Sequence, residues 1–161
     1  MAQALVQHLA ALRMEVQHLD GRTSIESYCG GVFTIFGHGN VAGLGEALAQ
    51  ERGRLPTLRA HNEQTMAHAA IAYSKAQFRQ RIMAVSTSIG PGATNMVTAA
   101  AVAHVNRLPV LLLPGDVFAN RRPDPVLQQI ESFGQGDVSA SDCFRPVTRY
   151  FDRLTRPEQI L

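Results

Sequence analysis

Hydrophobic positions fall into two rhythms along this chain, and their alternation predicts its elements. Leu5, Leu9, Leu12, Val16 and Leu19 recur at three- and four-residue spacing, which predicts one helix over residues 2–19 with a single buried face. Polar, turn-forming residues fill 20–30, which read as a connection. Residues 31–36, GVFTIF, are rich in β-branched and aromatic side chains and predict a buried strand, broken by Gly37-His38-Gly39-Asn40. A helix is expected over 44–52 and a short strand over 57–60. The sequence then passes through His61-Asn62-Glu63-Gln64 into a helix whose buried face carries Met66, Ala69, Ala70 and Tyr73. Residues 81–87 predict the next strand. It runs into Ser88-Ile89-Gly90-Pro91-Gly92-Ala93-Thr94-Asn95, a loop opening a helix over about 95–106, and PVLLL at 109–113 predicts a further buried strand.

Strands alternating with helices of this length need crossover connections, so the expected fold class is α/β: a three-layer open parallel sheet covered by helices on both faces. The pattern loosens after Val117. Residues 120–125 read as a surface loop, 126–133 as a helix, 134–136 as a turn, and 145–150 as an edge strand because of Pro146. Thr155-Arg156-Pro157-Glu158-Gln159 has the form of a helix start with Thr155 as its cap. Residues 1–161 are therefore expected to be a single domain forming the N-terminal part of a longer chain.

Composition narrows this picture. With 161 residues and 45% hydrophobic content, one α/β core is affordable and two are not. The net charge is +2, and the densest basic stretch, 145–156, is interleaved with Pro, Tyr, Phe and Asp, which argues against nucleic acid as a partner. Cys29 and Cys143 match no metal spacing and no disulfide framework, which suits a reducing cytoplasm. The N-terminal segment lacks the form of a signal peptide, and no apolar run approaches the roughly 20 residues of a membrane span.

Three stretches carry candidate chemistry. Glu63 stands at a strand-to-helix junction, where ligands bind in open parallel sheets; the plain alternative is an acid complementing the helix dipole and supporting an Asn62 cap. The loop from Gly37 to Gly43 fits a loosened three-glycine dinucleotide pattern, with Arg59 available for a phosphorylated ribose but no acid ending the second strand. The loop from Ile89 to Asn95 sets two glycines around Pro91, letting backbone approach a flat ligand while Thr94 or Asn95 offers a cap or a polar contact. Lacking the Lys-Ser/Thr pair, it is not a phosphate-binding P-loop. A tight turn remains its plain alternative.

Taken together, the turn at Phe36-Gly37, the HNEQ element with its AHAAIAYSKA helix, and TSIGPGATN followed by an alanine-rich helix and RLPVLLLPGD resemble the N-terminal, pyrimidine-binding domain of the thiamine diphosphate enzymes. The resemblance runs from about residue 31 to 161. Within that family, residues 34–45, RAHNEQTMAHAAIAYSKA, TSIGPGATNMVTAAAVAHVNRLPVLLLPGDVFANR and FRPVTRYFDRLTRPEQ are similar to the bacterial hydrolases of a cyclic 1,2-diketone in myo-inositol breakdown. The resemblance implies that Glu63 hydrogen-bonds N1′ of the cofactor's aminopyrimidine, and that Pro91 and Asn95 line the pyrimidine pocket with Ser88 or Thr87. The extra Ile89, against the commoner TSGPGATN wording, leaves both hydroxyl residues open. His38 and Asn40 are expected to face the reacting centre and handle a proton or a carbonyl oxygen, His38 being otherwise a loop histidine satisfied by backbone; His61, His68 and His104 are read as structural. The family holds Mg²⁺ and the diphosphate in a downstream domain through a Gly-Asp-Gly element, which is missing here. No metal ligand is therefore assigned in this chain, catalysis by it alone is not expected, and a homodimer or homotetramer of the longer protein is implied. The alternatives are another thiamine diphosphate enzyme of the acetolactate synthase-like group, a module that has kept the fold and lost the chemistry, or a non-catalytic nucleotide-binding module.

Overall fold

The computed structural model describes residues 1–119, 126–132, 134–135 and 137–160. At its centre four parallel strands lie in the order β4-β3-β5-β6: β3 (Cys29–Thr34), β4 (Thr57–Arg59), β5 (Ile82–Thr87) and β6 (Leu111–Pro114). The period-two alternation of a strand sorts its side chains between two cores. On one face Val32, Ile82 and Ala84 meet Val6, Leu9 and Ala10 of α1 (Ala2–Ala11), with Ala47 and Leu48 of α3 (Glu46–Gln50) and Leu55. On the other, Met83 and Val85 meet Met66, Ala70 and Ile71 of α4 (Glu63–Ala76), with Ala99 and Ala100 of α6 (Val97–Asn106). Helix, sheet, helix: the expected three-layer α/β fold is the one formed.

The two edges of the sheet differ. At one, β4 is short and exposed throughout, Thr-Leu-Arg, as a solvent edge should be. At the other, β6 reads Leu-Leu-Leu-Pro, contributes Leu112 to one core and Leu111 and Leu113 to the other, and is only half-buried along its length. A cavity of about 1080 Å³ runs beside it, between the start of α1 at Met1 and Leu5 and the opposite layer at Ala103, Phe144 and Phe151.

Several expectations are corrected. The helix over 2–19 ends at Ala11, because Leu12 turns extended and Arg13–Gln17 alternates exposed and buried positions as β1; Val16 is buried, but Leu19 is 90% exposed. Its partner β2 (Thr23–Ser27) lies in the expected connection, and the pair forms an antiparallel hairpin outside the main sheet. The break after β3 holds a helical turn α2 (His38–Asn40), which passes through a π segment (Val41–Gly45) into α3. The helix expected over 95–106 is split into α5 (Pro91–Thr94) and α6. The edge strand at 145–150 is replaced by a 3₁₀ helix, Ala140–Val147, started by a reciprocal cap: Ser139 Oγ accepts from Ser141 N at 3.1 Å while Ser139 N donates to Asp142 Oδ2 at 2.9 Å. Its three-residue period buries Ser141 and Phe144 together. Residues 126–132 form turns instead of a helix; the loop at 120–125 and Phe133, Gly136 and Leu161 lie outside the described residues. Thr155 does not cap by its own side chain. Gln159 reaches back, its Oε1 accepting from Thr155 N at 2.7 Å and Arg156 N at 2.9 Å.

Candidate functional site

Because all four strands of the sheet are parallel, the segments that follow them gather at one end, and the candidate residues are found there. Glu63 is the first residue of α4. The cap is supplied by its neighbour: Asn62 is extended, and its Oδ1 accepts from Thr65 N at 3.0 Å and Thr65 Oγ1 at 3.3 Å. Glu63 is thus released from capping. Its Oε2 instead accepts a hydrogen bond at 2.8 Å from Asn95 Nδ2, thirty-two residues away on the second loop. The plain reading of Glu63 as a helix-start acid is therefore incomplete.

The second loop is shaped by its glycines. Gly90 has φ 60°, the left-handed region, and turns the chain so that Pro91 starts α5 at a position where no backbone N–H is needed. Gly92 is packed so closely on Ser88 Oγ that a Cβ there would overlap it, and the same Cβ would lie 3.4 Å from Glu63 Oε1. Ser88, Gly92 and Glu63 therefore converge, with Asn95 clamping the far oxygen of the carboxylate. Between the two hydroxyl residues, Ser88 is the one beside Gly92 and Glu63. Thr87 is fully buried, and its Oγ1 donates to Ser88 O at 3.0 Å. Pro91 is exposed at the rim.

Gly37 joins the first loop to this group, since a Cβ on it would stand 2.7 Å from Ser88 Cβ and 2.9 Å from Ser88 Cα. His38 follows, exposed, on the turn of α2. Asn40 is used as a tether: its Nδ2 donates to Thr87 O at 2.9 Å, tying the first loop to the end of β5. For the dinucleotide reading the loop is wrongly built, because α2 is one turn followed by a π segment, without the sustained helix that a pyrophosphate needs at its N-terminus. Of the remaining histidines, His61 is exposed, His68 Nδ1 lies 2.9 Å from Gln64 O, and His104 Nδ1 is buried without a partner.

Two features escape a reading of the sequence. Asp116, just past β6, accepts from Ser139 Oγ at 2.6 Å and pairs with Arg153 Nε at 2.9 Å, pinning the tail to the ligand-bearing end of the sheet. Its signal is the Pro-Gly-Asp turn that follows the PVLLL strand. Gln128 lies on the glycine loop, from a segment without periodicity to mark it. Among the described residues no three His, Cys, Asp or Glu side chains form a metal-binding group, and no helix is long and apolar enough to cross a membrane.

Comparison with known proteins adds to this geometry. Residues 28–136 match the family described as thiamine pyrophosphate enzyme, N-terminal TPP binding domain. The chain is 54% identical over 160 residues, 99% of its length, to a Bacillus velezensis protein named 3D-(3,5/4)-trihydroxycyclohexane-1,2-dione hydrolase. Proteins of the same name from Bacillus subtilis and Shouchella clausii are 52% and 54% identical over the same length. The chain spans 24% of the length of each of these relatives.

Proposed function

Since this chain belongs to the thiamine pyrophosphate enzymes as an N-terminal TPP binding domain, we propose that it supplies the pyrimidine-binding half of a hydrolase site for trihydroxycyclohexane-1,2-dione in myo-inositol catabolism. One observation carries the proposal: the Glu63 carboxylate is held through Oε2 by Asn95 of the glycine loop, while Oε1 stands beside Gly92 and Ser88 of the same loop. A flat ring bearing nitrogen donors and acceptors fits these residues. Ser88 Oγ, packed where a Gly92 Cβ would stand, and Glu63 Oε1 beside it are the polar groups such a ring would meet.

When bound, thiamine diphosphate supplies the nucleophilic carbon and the electron sink that cleavage between two carbonyls requires. The chain's own contribution is positional and protonic. Glu63 holds the proton at N1′ of the aminopyrimidine, Asn95 fixes the carboxylate's orientation, and Ser88, Gly92 and Pro91 seat the ring. His38, exposed on α2, moves a proton at a substrate oxygen, and Asn40, tied to Thr87, holds that wall against the cofactor loop. The overall reaction balances as a hydrolysis: water gives its hydroxyl to one carbonyl carbon and a hydrogen to the other, and the ring opens to 5-deoxyglucuronate, an acid carrying an aldehyde.

The diphosphate and Mg²⁺ are assigned to the part of the longer protein beyond this single domain, acting in a cytoplasmic homodimer or homotetramer; the isolated chain is expected to be inactive. A relative four times its length supports that division. The test is Glu63→Gln in the full-length protein. Turnover of the cyclic dione should vanish while circular dichroism and melting temperature stay unchanged, and undiminished turnover would refute the assignment.

A further inference from the structure

The strap formed by residues 126–132 lies across the glycine loop. Its contact there is close: the carbonyl oxygen of Gln128 would overlap a Cβ placed on Gly90, and Ile130 Cγ2 would be 3.5 Å from that same Cβ. Both residues at the crossing are left-handed, Gly90 with φ 60° and Gln128 with φ 71°. Glycine adopts that region freely, but glutamine is held in it only by its surroundings, and such strain concentrates where ligands are gripped. The Gln128 side chain is exposed, and its Oε1 stands 3.8 Å from where a Cβ on Gly37 would be. Gly37 packs on Ser88, and Ser88 Oγ borders Gly92 beside Glu63 Oε1. Amide, hydroxyl and carboxylate thus follow one another along the ligand-bearing end of the sheet.

A second observation comes from the next residue. The side-chain nitrogen and oxygen of Gln129 are both buried, and neither has a hydrogen-bond partner among the described residues. Buried amides are rarely left so, and this one sits on the segment that covers the loop. The acid of the strap, Glu131, is already engaged, its two oxygens accepting from Ala140 N at 2.8 Å and Ile130 N at 3.2 Å. With Glu131 engaged within the chain, the group that the strap sets beside Gly37 is the exposed, neutral amide of Gln128. A carboxamide presents donors and an acceptor side by side, which matches the hydroxyls of an uncharged polyol and gives no preference to an anion.

We propose that Gln128 is a specificity-determining residue, hydrogen-bonding the ring hydroxyls of a neutral, polyhydroxylated cyclic diketone; this rests on the function proposed above. The test uses the full-length protein with thiamine diphosphate and Mg²⁺, and compares trihydroxycyclohexane-1,2-dione with cyclohexane-1,2-dione, which lacks the hydroxyls. Gln128→Gly deletes the amide at a backbone conformation that glycine prefers, and Gln128→Asn shortens it with a residue that tolerates the same conformation. In Q128G the kcat/KM for the trihydroxylated ring should fall about five- to tenfold, the loss of one neutral hydrogen bond. For the unsubstituted ring, kcat/KM (or the inhibition constant where it is not turned over) should change less than twofold, as should cofactor affinity, with Q128N intermediate. An equal loss on both rings, or no loss on either, overturns the proposal. If the wild type is active and E63Q inactive, that failure belongs to Gln128 alone; if the wild type opens neither ring, or E63Q keeps its activity, the functional reading falls and this inference with it.

Discussion

Gly92→Ala probes the site where its geometry is tightest. The new Cβ would overlap Ser88 Oγ, lie 3.3 Å from Ser88 Cβ and come within 3.4 Å of Glu63 Oε1. Rotating the serine hydroxyl relieves the worst contact but gives up its bond to Ile89 O at 3.3 Å. Ser88 cannot retreat either, because Gly37 is packed against its other side at a spacing that leaves no room for even a methyl group. Helix α5 must then move by a few tenths of an ångström, a small overpacking that costs about 1 kcal/mol, the low end for such insertions, and slightly lowers the melting temperature. The functional effect should be larger. A methyl group 3.4 Å from Glu63 Oε1, with the shift of Ser88 that it forces, disturbs the hydrogen bond proposed for the ring nitrogen, which is worth about 1.5–3 kcal/mol for a charge-assisted bond, or roughly 10- to 100-fold in affinity. The assay is calorimetric titration of the full-length protein with thiamine diphosphate in the presence of Mg²⁺, paired with a melt of the cofactor-free form. Gly39→Ala is the control, since a Cβ there meets nothing within 4 Å. If G92A binds the cofactor as tightly as the wild type and G39A do, Gly92 and Glu63 do not frame the pyrimidine site.

Three further outcomes are expected. Asn62→Ala removes the cap of α4 and should cost about 1 kcal/mol in chemical denaturation; an unchanged midpoint would mean that the bonds to Thr65 contribute nothing. Burial pushes the thiols of Cys29 and Cys143 up, and Cys29 is only 1% exposed, so a thiol reagent at neutral pH should label Cys143 first and Cys29 only on unfolding, with prior labelling of Cys29 contradicting the packing. The hydrogen bond from Ser139 N, and then that from Arg145, hold the Asp142 carboxyl below its ordinary 3.8. A depressed folded value stabilises the fold above the unfolded pKa and stops doing so as pH falls through the folded one, so the melting-temperature gap between wild type and Asp142→Ala should be constant above about pH 4 and close below it; a gap that persists under acid refutes the cap.

The sequence announced those parts of the structure in which local pattern and tertiary packing agree. The strand-helix alternation from residue 57 to 106 was legible because β5 is buried at every position and α4 carries one apolar face capped by Asn62. The N-terminal hairpin was not, since Leu12, Val16 and Leu19 satisfy helical spacing by coincidence, and only pairing with β2 reveals the alternation of Arg13–Gln17. The 3₁₀ helix at Ala140–Val147 was hidden in the same way: Pro146 argued for an edge strand, whereas the exchange between Ser139 and Asp142 decides the backbone. In the site, Glu63 and the glycine loop stood out by residue type. The hydrogen bond between Glu63 and Asn95 had no local signal, because thirty-two residues, a helix and a strand separate its ends; the family resemblance set both residues at one pocket without pairing them. Gln128 lay further still from any local signal.

The placement of Glu63 explains why this end of the sheet can hold chemistry at all. An acid at a helix start is ordinarily absorbed by the helix, as cap or as complement to its dipole. Here Asn62 takes the capping bond, Asn95 takes one carboxylate oxygen, and the glycine at 92 withholds the side chain that would cover the other. Three separate parts of the sequence thus fix how this carboxylate is held, and each must be right for the others to matter. The open edge follows a parallel logic. β4 is three residues long and exposed, with Thr57 and Arg59 flanking Leu58, whereas β6 is apolar on both faces and half-exposed along a cavity. A strand of that composition belongs in the interior of a sheet, where both faces and both hydrogen-bonding edges are covered. Among the described residues nothing pairs with the outer side of β6, which suits the division of the site proposed above.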